Sequence, residues 1–172
     1  KNIREEYKKH IVKMFQLAGM DEAQATKSME AVMEIETRLA KVSYSAVEQR
    51  DPAANYHKMT LDELKKEIPG FDWDAYLNKL GVQGVTSLNV AQIPPVKEAV
   101  AIINTLPMDK QIAYLQWKLI DSAASYLSAD FDEQNFAFYG KVMAGKKEQQ
   151  PRWKRTESTV NGVMSEAVGQ MY

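Results

Sequence analysis

Few side chains in this 172-residue chain could carry out chemistry, and their spacing limits what that chemistry could be. There are two histidines, His10 and His57, and no cysteine. Hydrolysis assisted by zinc needs three protein ligands, an open position for water and a base close by. On a helix the usual form is H-E-x-x-H, because residues four apart project from one face. His10 and His57 lie in different segments and make no such pair. His10, among Lys8 and Lys9 on a first helix, reads as a solvated surface residue. His57, in a polar loop before Thr60, reads as a capping or turn contact. Glu34 and Glu36 with Asp21 and Glu22 gather carboxylates, but acid–base catalysis wants a pair held in a cleft with separated pKa values. On a lysine-rich helical surface they read as solvated charge. Ser122, Ser125 and Ser128 lack a Gly-x-Ser-x-Gly elbow and a histidine partner, which argues against a hydrolase triad.

Lys141, Lys146, Lys147, Arg152, Lys154 and Arg155 form a basic cluster interleaved with Tyr139 and Trp153. Phosphate contacts and base stacking use such a combination. Glu148, Glu157 and Glu166 stand beside it, and the formal net charge of the chain is -1, so nucleic acid is not expected as a partner. Arg50, Asn55 and Tyr56 are polar loop residues whose expected roles are turns and caps rather than substrate contact. No catalytic, metal-binding or substrate-binding residue is therefore assigned on this chain.

The elements that would have to position such residues are helical. Ile3, Tyr7, Ile11, Met14, Phe15 and Ala18 mark one face of a first helix, which Gly19 ends. Asp21 and Gln24 resemble a capping box opening a second helix through Ala25, Met29, Val32, Met33, Ile35, Leu39 and Val42. The turn between these two is short enough for an antiparallel hairpin. Residues 49–59 read as a loop, since Pro52 disfavours helix in the residue before it. Thr60 and Glu63 form a clear capping box for a short helix through Leu64 and Ile68, stopped by Pro69-Gly70. Asp72 caps another, with Trp73, Tyr76, Leu77 and Leu80, terminated by Gly81. Residues 82–93 are the one place for a short extended segment. Pro94-Pro95 begin a helix carrying Val96, Val100, Ile103 and Leu106.

Pro107 and Asp109 open a long amphipathic run with Ile112, Leu115, Leu119, Ile120, Ala123, Ala124 and Leu127 on one broad face, flanked by Tyr114 and Trp117. Ser128 or Asp130 caps the next helix, whose continuation presents Phe136, Phe138, Tyr139 and Met143 before Gly145 supplies a left-handed stop. After Pro151, the residues Trp153, Val160, Val163, Met164, Ala167, Val168 and Met171 recur on one helical face. The pattern predicts an all-α domain over 1–172, a bundle-like packing of seven or eight helices.

Composition agrees, at 45% hydrophobic and 26% charged residues. The absence of cysteine excludes disulfides and thiolate metal sites without fixing a compartment. No apolar run approaches the ~20 residues a membrane helix needs, the longest lying around Val100 to Ile103. The charged start Lys1-Asn2-Ile3-Arg4-Glu5-Glu6 shows no signal peptide. The first residue is not methionine, and Tyr172 ends the chain inside a periodic helix, so the chain reads as a piece of a longer polypeptide.

Beyond pattern, four separated blocks of wording carry a resemblance. They are Glu36-Thr37-Arg38-Leu39-Ala40; Arg50-Asp51-Pro52 with Asn55-Tyr56-His57-Lys58-Met59-Thr60; Tyr114-Leu115-Gln116-Trp117-Lys118-Leu119-Ile120; and the tail from Phe138-Tyr139-Gly140-Lys141 through Pro151-Arg152-Trp153-Lys154-Arg155 to Glu166-Ala167-Val168-Gly169-Gln170-Met171-Tyr172. In order and covering nearly the whole chain, they resemble the amino-terminal helical region of the neprilysin and endothelin-converting-enzyme family of zinc metalloendopeptidases. Thr156 stands where animal members carry a cysteine, so the chain looks like a bacterial member. His57 departs from the family's usual asparagine.

The resemblance implies a role in the wall of an enclosed substrate chamber that admits peptides and excludes folded proteins. The parent's reaction would be zinc-assisted amide hydrolysis, on the amino side of large apolar residues. It further implies that the zinc ligands and general base belong to a carboxy-terminal catalytic domain, and that this region alone is inactive. The partners implied are that domain and, in the whole enzyme, peptide substrates. The implied location is exported, in the periplasm or cell envelope of a bacterium. The basic tail would then be a helix junction packed on the catalytic half. The competing reading is a free-standing helical interaction module.

Overall fold

In a computed structural model, the structure describes residues 3–171. The readings of Lys1, Asn2 and Tyr172 lie outside them. The described residues are predominantly helical: α1 (Ile3–Leu17), α2 (Glu22–Val42), α3 (Leu61–Glu67), α4 (Trp73–Lys79), α5 (Ile93–Thr105), α6 (Met108–Ala123), α7 (Ala129–Asn135), α8 (Arg152–Val163) and α9 (Ser165–Gly169). A π-helical segment, Phe136–Met143, follows α7 directly. The expected all-α architecture is the observed one.

The extended segment expected between 82 and 93 is β2 (Ser87–Asn89), which pairs antiparallel with β1 (Lys58–Thr60) in the register Lys58 with Asn89 and Thr60 with Ser87. β1 falls at the end of the stretch read as loop, a difference no local pattern announces in three residues.

Two compact units are formed, Lys1–Met20 with Ile120–Tyr172, and Asp21–Leu119. In the second, Thr60 closes its capping box in full: the Glu63 backbone N–H donates to the Thr60 hydroxyl, and Thr60 N–H donates to the Glu63 carboxylate. That pins α3 to β1 and aims Leu64 and Ile68 at a core with Trp73, Val90 and Val100. The Trp73 indole N–H donates to the Ile68 carbonyl at 2.9 Å, so this buried polar atom is satisfied where α3 ends. α2 packs on α5, where the Arg38 guanidinium meets Glu98 at 2.5 Å, while Glu34 takes Lys110 of α6.

Within α6 the buried side chains are Ala113 and Trp117, whereas Met108, Ile112, Leu115 and Leu119 are exposed. Of the broad face read from periodicity, Ile112, Leu115, Leu119 and Leu127 are thus exposed, Ile120 and Ala123 partly buried and Ala124 buried, and the flanking tryptophan faces in. α5 shows a smaller shift of the same kind: Ile102 is buried and Ile103 exposed.

In the first unit α1 packs on α7 and the π-helical segment, burying Ile11, Met14 and Phe15 completely. Gly19, at φ 96°, ends α1 by the double bond of a left-handed cap: its N–H donates to Gln16 O and Met20 N–H donates to Phe15 O. Gly145, at φ 64°, ends the π-helical segment with the same pair drawn one residue wider: its own N–H donates to Lys141 O, and Lys146 N–H donates to Gly140 O. The wider rings follow from the i→i+5 ladder of a π-helix. The last periodic run is not one helix. It breaks at Met164, where φ is -129° and ψ 33°, giving α8 and the short α9.

Candidate functional site

The polar groups of the first unit collect around the π-helical segment. His10 is 1% exposed, not a solvated surface residue as the neighbouring lysines suggest. It lies three residues after Tyr7 and four before Met14, inside the apolar face of α1, and that spacing is the signal which could have placed it. Its ring stacks on Phe138, with centroids 4.8 Å apart and planes at 12°, and meets the edge of Tyr139. Nδ1 stands 3.1 Å from the Gln134 side-chain amide, and Nε2 stands 4.0 Å from Asp121. The Tyr139 hydroxyl donates to the same carboxylate at 3.0 Å. α1, the end of α6, α7 and the π-helical segment are thus tied through one buried imidazole.

A catalytic triad would need a nucleophilic hydroxyl at the ring edge. Here Nδ1 is within hydrogen-bond reach of the Gln134 amide and Nε2 lies nearest the Asp121 carboxylate at 4.0 Å, in a ring covered by aromatic neighbours. The arrangement links α1, α7 and the π-helical segment through the imidazole.

Beside it runs a cleft of about 550 Å³ whose lining includes Ser125, Tyr126, Asp132, Arg152, Arg155 and Thr159. The Arg155 guanidinium pairs with Asp132 at 2.9 Å, and the Gln149 amide donates to the same carboxylate at 3.0 Å. This pair joins α8 to α7 across sequence positions that no local pattern connects. Of the basic cluster, Arg155 therefore has an acidic partner, and Lys154 lies over the Trp153 ring.

The remaining candidates fall to local roles. The Asn55 amide donates to the carbonyls of Glu48 and Asp51, and Asp51 accepts from the N–H groups of Ala53 and Ala54, so this loop is a network of turns. His57 is placed through its backbone: its N–H donates to the Asn89 side chain and its carbonyl accepts from Val90. Asp21 caps α2 by accepting from Gln24 N–H. Glu36 lies by Tyr114, whose phenol is pushed up to about 12 by burial first, then by the Glu36 charge and hydrogen bond. Among the described residues, no three His, Cys, Asp or Glu side chains are grouped to hold a metal ion, and no helix is long and apolar enough to cross a membrane.

Human membrane metallo-endopeptidase-like 1 is 29% identical to the chain over an alignment 160 positions long that covers 88% of this chain and 20% of that protein. Mouse neprilysin is 28% identical over an alignment 177 positions long that covers 94% of this chain and 23% of that protein. Rat endothelin-converting enzyme 1 is 27% identical over 164 residues, 91% of this chain and 21% of its own. The chain thus spans about a fifth of the length of these curated relatives. Among solved structures, the zinc metalloprotease Zmp1 of Mycobacterium tuberculosis in complex with inhibitor superposes with a TM-score of 0.93 at 29% identity, covering 99% of this chain and 26% of that one. The same protease in its open state gives 0.92. A model for peptidase family M13 matches residues 1–172, the stretch over which the four motif blocks run in order, and the chain belongs to that family as part of its amino-terminal helical region.

Proposed function

We propose that this chain is the non-catalytic helical region of a neprilysin-like zinc metalloendopeptidase, forming wall of the chamber in which peptides are cut and limiting entry to small ones. The observation that supports this most is the family match over all of residues 1–172, together with a backbone shared with about a quarter of a mycobacterial zinc metalloprotease. In this reading the chain is a single functional part of a larger exported bacterial enzyme.

The residues present do not fit a zinc centre. His10 is enclosed by Phe138, Tyr139, Gln134 and Asp121, and among the described residues neither histidine is grouped with two further His, Cys, Asp or Glu side chains. The metal, its ligands and the base that activates water are therefore assigned to the remaining polypeptide, which is the partner of this region. What this chain contributes is shape: rigid helices, capped and tied by buried polar bonds, that enclose rather than react.

The test uses the complete polypeptide and a size series of substrates. Short peptides with large apolar residues are expected to be cut in a chelator-sensitive manner, and folded proteins to be spared. Equal cleavage of folded proteins would remove the chamber reading. Peptide turnover by residues 1–172 alone would remove the non-catalytic one.

A further inference from the structure

The partners of the buried His10 ring fix where its proton sits. Gln134 brings its amide nitrogen, a donor, to 3.1 Å from Nδ1, so Nδ1 accepts and the proton of the neutral imidazole lies on Nε2. Nε2 is 4.0 Å from the Asp121 carboxylate, about 1 Å beyond the length of a charge-assisted hydrogen bond. That carboxylate also accepts from the Tyr139 hydroxyl, and its side chain is 20% exposed, which leaves a route for proton exchange with solvent. The face of the ring lies on Phe138 at 4.8 Å, a distance at which an aromatic face attracts a cation.

The ionisable groups of the surrounding elements are arranged around this point. Asp121 of α6 and the Tyr139 phenol meet the ring, Tyr7 of α1 packs on Phe138, and α7 offers the neutral Gln134. On α1, Glu6 is taken by Lys9 at 2.8 Å. Lys13, Asp130, Glu133 and Lys141 line a cleft of which Gln134 is also part.

We infer that His10 is a proton-operated switch in the core of this unit. As pH falls through the range in which an imidazole charges, about 8 to 5, Nδ1 takes a proton from water and becomes a donor. Gln134 then turns its amide over, so that its carbonyl accepts from Nδ1–H. The imidazolium closes on Asp121 as an ion pair beside Tyr139. The turned amide changes the group that Gln134 offers to its cleft, so a charge gained in the core is read at the surface of the unit. Every group the switch uses belongs to this chain.

NMR of the complete polypeptide carrying isotope-labelled histidine tests this, with His10 assigned by its Overhauser contacts to the Phe138 ring. At about pH 8 the ring shifts are expected to report Nε2–H. By about pH 5 both nitrogens should carry protons, with the Phe138 contacts retained. Asp121→Asn keeps an acceptor for Tyr139 and drops the charge, so it should weaken proton uptake about tenfold and lower the midpoint by about one pH unit. Gln134→Glu places a carboxylate at Nδ1, so it should raise the midpoint by about as much. A ring that serves only to fill the core would stay neutral across the whole range, and that result would overturn the switch. So would Nδ1–H at about pH 8, proton uptake only with loss of the Phe138 contacts, or a midpoint that either variant leaves in place.

Discussion

Gly140 offers a test in which the sign of the effect is at stake. It lies within the π-helical segment and is buried, and a Cβ built on it would enter the ring of Phe136 one turn earlier. In an ordinary helix, Gly→Ala is stabilising by about 1 kcal/mol, because alanine restricts the unfolded chain and suits the helical backbone. Here the methyl meets ring carbons that cannot move independently of one another. Overpacking of this kind costs ~1–3 kcal/mol, which offsets or exceeds the propensity gain. Gly140→Ala should therefore lose up to about 2 kcal/mol net, a fall in Tm of up to about 8 °C for a chain of this size.

Gly162 is the control. It lies in α8, with no heavy atom near the position a Cβ would take, so Gly162→Ala should gain up to about 1 kcal/mol. Thermal and urea unfolding followed by circular dichroism separates the two. The near-ultraviolet signal should change only in Gly140→Ala, because the methyl displaces the Phe136 ring and with it the Lys141 ammonium that lies over it. On a Phe136→Leu background the penalty should disappear, giving a coupling of ~1–3 kcal/mol between the two positions. A rise in stability for Gly140→Ala in the unaltered background would refute the argument that the ring occupies that space.

Two further outcomes follow from the second unit. Thr60→Ala should cost about 1 kcal/mol at neutral pH by uncapping α3. The Thr60 backbone N–H, and then its hydroxyl, hold the Glu63 carboxyl below the usual glutamate range, so the Glu63 contribution is complete above that range and fades as pH falls through the depressed value. Urea midpoints of Glu63→Ala and the parent chain should thus converge toward pH 3, and a gap unchanged from pH 7 would contradict the sign. Tyr114, raised to about 12 from 10.0, should be a late-ionising phenol in an ultraviolet titration, absent from Tyr114→Phe and shifted down in Glu36→Gln. Because its folded value is the higher one, the stability it lends is full below about pH 10 and is lost as pH rises through about 12. Ionisation of every tyrosine below pH 11 would refute the role of burial and Glu36.

What was legible in the sequence was what rests on short-range chemistry. The Thr60–Glu63 box, the Asp72 cap, Pro94-Pro95 at the start of α5 and the stop at Gly145 need only residues a few positions apart. The π-helical turn was not legible, because Phe136 to Met143 has an unremarkable helical pattern, and the close approach of the Phe136 ring to Gly140 exists only in the folded chain. Nor was the β1–β2 pairing, whose three-residue strands gain their stability from Leu88 and Met59 against a core assembled by α3 and α5. His10 was misread because its charged sequence neighbours were weighted above its place on the helical wheel. The candidate site, in turn, is built from contacts between residues far apart, such as Arg155 with Asp132 and Tyr139 with Asp121.

The orientation of α6 explains why periodicity alone misassigned a face. Met108, Ile112, Leu115 and Leu119 repeat at intervals of four and three, the strongest apolar signal on that helix, yet they are exposed. A second row lies across from them: Lys110, Ala113, Tyr114 and Trp117. Trp117 brings one of the largest areas any side chain can bury, ~150–250 Å², and Ala113 lets the backbone come close beneath it. Around them Lys110 reaches Glu34 and Tyr114 adjoins Glu36, both acids on α2. Turning the aliphatic row inward would strip those contacts and place four charged or hydroxylated groups opposite no partner, a cost of ~1–3 kcal/mol for each one left buried and unpaired. The acids of α2 and the base of α6 are separated by some seventy residues, so no window of sequence contains both halves of the decision. An apolar stripe records that a helix has a partner to find; the charged row beside it records which neighbour has already been fixed.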